Sequence, residues 1–151
     1  MIDKNRYSIS TSELAMFGNI DNIDWFNLQY GSYLNEIAEV ESLSDRFHNF
    51  SEFSANGAFL DYGAQISNLD LVISMDSTAA IYAALLDVEV WVLCPNDPSW
   101  FWIVNEHNAY CSNVNIFIKP WNISWGQFIQ LEVIDRLSQW RHQKTLQGHL
   151  A

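Results

Sequence analysis

Residues 88–95 read VEVWVLCP, a short and almost wholly apolar run that stops at a proline. A strand with one wet face alternates apolar and polar residues, and a buried helix needs a longer stretch, so this run predicts a strand covered on both faces. Three more runs share its character: DWFNLQYG (24–31), LDLVISM (69–75) and NVNIFIKP (113–120), rich in Val, Ile, Leu and aromatics and closed by Gly, Asp or Pro. Helical patterns lie between and after them. STAAIYAALL (77–86) is rich in alanine and follows Asp76, Ser77 and Thr78, each able to cap a helix. SWGQFIQLEVIDRLSQWRHQ (124–143) spaces Phe128, Leu131, Ile134 and Leu137 by three, with Ser124 as its cap and Arg136, Arg141 and Lys144 toward the end where the helix dipole favours cations. Buried-type strands alternating with helices predict a parallel sheet covered by helices. Shorter helices are expected near 12–17 and 60–68, and the acidic, Ser- and Asn-rich stretch 38–58 reads as loop with one short strand.

A chain of 151 residues, 49% of them hydrophobic, buries one good core, so residues 1–151 are expected to form a single domain with 144–151 as a frayed tail. No apolar run is long enough for a membrane span, and MIDKNRYSIS lacks the basic start and apolar stretch of a signal peptide, which predicts a soluble, cytoplasmic chain. Cys94 and Cys111 have no C-x-x-C spacing and sit in or beside apolar runs, as buried thiols do. The net charge of −11 argues against a nucleic-acid partner. Its distribution says more: lysine and arginine occur at positions 4, 6, 46, 119, 136, 141 and 144, so nothing between 47 and 118 carries a permanent positive charge.

The junction DLVISMDSTA (70–79) has the layout of a ligand site in an open α/β sheet, where ligands sit beyond the carboxyl ends of the strands and face the start of the next helix. Free backbone N–H groups there can hold a phosphate without a cation, and the Ser77 and Thr78 hydroxyls can add hydrogen bonds. The plainer reading is that Asp76 or Ser77 simply caps the helix, and local pattern leaves both open.

The segment LDLVISMDSTAAIYAALLDVEVWVLCP resembles the L-D-L-V-I-S-V-D-T…P-V-W-V-L-L-P stretch in the C-terminal domain of two-Rossmann-domain (GT-B) glycosyltransferases, nearest to heptosyltransferase-like domains that follow tetratricopeptide repeats. Other matches follow in the same order: DKNRYSIS resembles D-x-x-R-S-I-P, WFNLQYG resembles F-V-S-L-Q-Y-G, PSWFW resembles P-D-W-R-W, and NIFIKPWNISW resembles R-L-F-R-Q-x-x-x-x-D-W, covering about residues 3 to 135. The resemblance implies a Rossmann-like, three-layer α/β fold, a parallel sheet with helices on both faces, whose first strand is missing because only Met1 and Ile2 precede the first match. It implies a nucleotide diphosphate sugar as donor ligand, with no separate cofactor, lined by Gln29, Asp76, Ser77 and Thr78. It implies a partner too, either an N-terminal glycosyltransferase domain on another chain or a second copy, and an isolated chain without transferase activity. Three positions depart from the pattern: the family's His in A-H-L is Ile81, the Arg of D-W-R-W is Phe101, and the glycine after the helix is Asp87.

Aromatics crowd PSWFW, where rings can pack as a lid or flank a cleft; Trp100 is the candidate for stacking on a base or sugar. His48, His107, His142 and His149 are too dispersed for a metal site, and no serine stands in a G-x-S-x-G elbow, so no catalytic residue is assigned. Two functions fit: a donor-binding glycosyltransferase domain, as a fragment or split half of a GT-B enzyme, or a degenerate, non-catalytic binding or assembly module that keeps the fold.

Overall fold

The computed structural model describes residues 8–29, 38–39, 42, 44–49, 58–102 and 111–148. In chain order these hold helix α1 (Thr11–Leu14), a 3-10 turn (Phe17–Asn19), strands β1 (Trp25–Asn27) and β2 (Phe47–Asn49), helix α2 (Ala58–Ile66), strand β3 (Val72–Met75), helix α3 (Thr78–Leu85), strands β4 (Val90–Cys94) and β5 (Val114–Ile118), helix α4 (Trp125–Phe128), a π turn (Ile129–Val133) and helix α5 (Ile134–Leu146). The described residues gather into two compact units. One holds residues 8, 28–29, 58–102 and 111–121; the other holds 9–27, 122–148 and the described part of 38–49.

In the first unit β4 lies between β3 and β5, parallel to both, with Val72 opposite Val90, Met75 opposite Leu93 and Cys94 opposite Ile118. All five β4 residues are buried, as expected of a run without polar alternation. Val90, Val92 and Cys94 join Val72 and the helix residues Tyr62, Ile66, Ala80, Ala83 and Ala84 in one core. Alanine on the inner side of α3 lets the helix backbone approach closely. Helix α2 meets α3 at Gly63, where a Cβ would run into the ring and hydroxyl of Tyr82; that hydroxyl donates to the Phe59 carbonyl at 3.1 Å.

The end of α3 shows what replaced the glycine. Asp87 has φ of +62°, a left-handed conformation, its N–H bonds to the Ala84 carbonyl, and the N–H of buried Val88 bonds to the Ala83 carbonyl. This is the Schellman arrangement, which glycine occupies without a Cβ penalty. Asp87→Gly is therefore expected to raise the stability of this unit by about 0.5–1 kcal/mol, partly offset by greater freedom of the unfolded chain. Urea unfolding of the variant checks it, and a fall in midpoint would contradict it.

In the second unit β1 and β2 pair in parallel, Trp25 opposite Phe47 and Phe26 opposite His48, so the short strand expected within 38–58 is present. The run 24–31 was expected to join the sheet around β4. Its strand forms a separate two-stranded sheet instead, held by the Trp25 ring against Phe17 (centroids 5.2 Å apart) and Phe47 (6.2 Å). The Asp24 carboxylate, just before β1, lies 3.3 Å from His48 Nε2 of β2. Ser124 caps α4 as expected: its Oγ accepts from Gln127 N at 3.2 Å while Gln127 Oε1 accepts from Ser124 N at 3.0 Å.

The spacing by three in this helix does not survive. Leu131 is 66% exposed, and the buried row is Trp125, Ile129, Val133 and Leu137, four apart, with Phe128 beside it. In a regular α-helix steps of four drift by about 40° each. The wider π turn at Ile129–Val133 takes back part of that drift and keeps the row together. The last helix runs through Lys144, at 5.3 Å over the Trp140 ring, to Leu146 and closes on Gly148 at φ +72°.

Candidate functional site

Because β3, β4 and β5 are parallel, their carboxyl ends share one rim, and at that rim Met75 leads into Asp76 and Ser77 and then directly into α3. Ser77 is extended (φ −150°, ψ 166°) and is the N-cap: its Oγ accepts from Ala80 N at 3.4 Å and shares a 2.7 Å hydrogen bond with Ser74 Oγ. The capping role is thus realised. It leaves capacity for a ligand, since two hydroxyls share one bond and, among the described residues, one of their protons is unspent. The amides of Thr78 and Ala79, in the first turn, have no intrahelical acceptor in any α-helix. Thr78 is exposed.

Asp76 is engaged elsewhere. Its Oδ1 accepts a 2.6 Å hydrogen bond from Nε1 of Trp102, a ring without any exposed surface. Burial pushes the Cys94 thiol up to about 12, and the negative charge of Asp76 adds to the shift. Asp76 follows Met75, and Cys94 follows its partner Leu93, so the carboxylate and the thiol close adjacent strands. Cys94 is a buried thiol as expected, and Cys111 is half-buried; neither forms a disulfide among the described residues.

The PSWFW turn divides its rings between packing and exposure. Trp102 N bonds to the Ser99 carbonyl at 3.0 Å, Trp102 is core, Phe101 packs partly against the core edge-on to Trp102 at 5.0 Å, and Trp100 is 75% exposed, edge-on to Phe101 at 6.1 Å. Core packing and exposure are therefore both present, on different residues. Ile81, where the resembling family has His, also packs against the core.

Of the five residues singled out from sequence, Asp76, Ser77 and Thr78 are consecutive at the rim, and Trp100 stands in the turn that ends in Asp76's partner Trp102. Gln29 is exposed and follows Leu28, which packs on this unit's core, but the strand before it is not part of the β3–β4–β5 sheet. Trp102 was missed. The available signal was that an indole N–H in an apolar turn needs an acceptor once buried, and the free strand-end carboxylate is Asp76.

Comparison with protein-family models, with curated proteins and with solved structures finds no match to this chain. No helix among the described residues is long and apolar enough to cross a membrane.

Proposed function

We propose that the first unit is a glycosyltransferase-like domain that binds the nucleotide diphosphate sugar donor, of the Rossmann-like three-layer kind. The observation that carries this reading is the junction at Asp76, Ser77 and Thr78: a parallel strand ends and a helix begins, with first-turn amides at its start and one bond shared between the Ser74 and Ser77 hydroxyls. In this reading the diphosphate sits on the first-turn amides and the Ser77 or Thr78 hydroxyl. Asp76 takes hydroxyls of the transferred sugar, and the exposed Trp100 ring stacks on the base or sugar. With no lysine or arginine from 47 to 118, binding is weak, with Kd on the order of 0.1–1 mM. A partner glycosyltransferase domain or a second copy supplies the acceptor side, so the isolated chain does not turn over. Titration of a nucleotide and nucleotide-sugar panel, followed by tryptophan fluorescence, tests this: saturable change is expected. A flat response to every ligand up to about 10 mM would remove the reading.

A second reading, a non-catalytic binding or assembly module, is favoured by the apolar packing of Ile81 and Phe101 at the positions where the resembling family has His and Arg. The double variant Ile81→His, Phe101→Arg separates the two. Donor binding predicts a gain of about 1–3 kcal/mol in affinity for a nucleotide sugar, the scale of hydrogen bonds to charged groups. A folded double variant with no affinity by calorimetry selects the module.

A further inference from the structure

We infer that Trp102 is a positioning residue, which holds the Asp76 carboxylate in one orientation for the hydroxyls of a bound sugar. The inference rests on the donor-binding reading. Trp102 is fully buried in the core, so its N–H cannot be satisfied by water, and the partner it has is a carboxylate 26 residues earlier in the chain, at 2.6 Å. The contact joins the end of β3 to the turn after β4, two strands that are hydrogen-bonded neighbours. A carboxylate has about four lone-pair positions and Trp102 takes one. The effect is to convert a rotatable strand-end acid into an acceptor of defined direction. The same bond anchors the turn: Trp102 carries Phe101 at 5.0 Å, which carries the exposed Trp100 at 6.1 Å, so the acid and the exposed ring are fixed by one group. A positive group would serve a phosphate better at this rim, whereas an oriented acceptor serves hydroxyls, so the role belongs to the sugar half of the ligand.

Calorimetry compares UDP-glucose with UDP, and ADP-glucose with ADP, on the wild-type chain, Trp102→Phe, Asp76→Ala and the double variant. The expected result is that each single variant loses about 5–10-fold in affinity for the sugar nucleotide, that the double variant loses no more than either single, and that UDP and ADP bind as before. Equal loss for the nucleotide with and without its sugar would mean a merely structural Trp102, and a folded Trp102→Phe chain that binds UDP-glucose like wild type would overturn the inference. If Trp102→Phe does not fold, Asp76→Ala and the wild-type indole N–H resonance decide it. That buried proton is expected to shift on addition of UDP-glucose and not of UDP, and no difference between the two overturns the assignment. Wild-type chain that binds the nucleotides but gains nothing from the sugar refutes this inference alone; wild-type chain that binds none of the four probes refutes the donor-binding reading and the inference with it.

Discussion

Truncation of Trp91 to alanine is expected to destabilise the first unit by about 3–5 kcal/mol, the range for deleting a large aromatic from a packed core. Trp91 lies on β4, buried on both faces, on the side opposite the Val90, Val92 and Cys94 row. Its ring meets Phe117 of β5 with centroids 5.0 Å apart, a diagonal neighbour across the register that pairs Trp91 with Asn115 and Leu93 with Phe117. Its Nε1 donates to Glu89 at 3.2 Å. Alanine removes the ring and that bond together, in the middle of a three-stranded sheet whose edges have one strand neighbour each among the described residues. Trp91→Phe keeps an aromatic contact and is expected to cost about half as much. Since whole domains are stable by only about 5–15 kcal/mol, the alanine variant should lose a large share of its stability and unfold at a much lower denaturant midpoint. Guanidinium unfolding with the m-value monitored checks this, and a cost under about 1 kcal/mol would mean that the ring is not packed as described.

The second large effect is alkaline. The Cys94 thiol is raised from 9.0 to about 12 by burial and by the Asp76 charge, so the folded state favours the protonated thiol. Below pH 9 both folded and unfolded chains hold this proton and the thiol contributes its full stability. Between about 9 and about 12 the unfolded chain releases the proton while the folded chain keeps it, so stability falls as pH rises, with a limiting slope of about 1.4 kcal/mol per pH unit. Cys94→Ala removes the titrating group. The stability of wild type relative to Cys94→Ala is therefore expected to fall by about 2–3 kcal/mol from pH 9 to pH 11. Taking the difference cancels the tyrosines and lysines that titrate in both proteins. A difference independent of pH would show that the thiol titrates alike in both states. In the same chain Cys94 should resist thiol reagents at pH 8, where a group at about 12 is thiolate only about once in ten thousand molecules.

Legibility differed by element, and the range of the interaction explains the difference. β4 was readable as a doubly buried strand because its apolar run and its closing proline are local facts; β3 and β5 were readable as strands from similar runs, but they are only partly buried. The Ser77 and Ser124 caps were readable because a cap bonds an amide three residues on. Position 87 was marked by the missing glycine, and the backbone there does take the conformation that glycine favours. The face of the last helix was misread at Leu131, because a spacing by three and a spacing by four fit a regular helix about equally well. The π turn that chooses between them answers to packing around Ile129 and Val133.

The chain's own letters were enough to set that β3, β4 and β5 are strands, that helices start at the Ser77 and Ser124 caps, and that no lysine or arginine stands near the rim in sequence. Those features follow from hydrogen bonds, dihedral preferences and burial patterns that reach a few residues at most. Strand partnership was not among them. The run at 24–31 has the composition of a sheet strand and pairs with β2, because aromatic packing of Trp25 on Phe17 and Phe47 brings together residues far apart in the chain. The same holds for Asp76 and Trp102. Either residue alone reads as a cap or a core ring, and the hydrogen bond between them exists because β3 and β4 lie side by side and carry their carboxyl ends to one place.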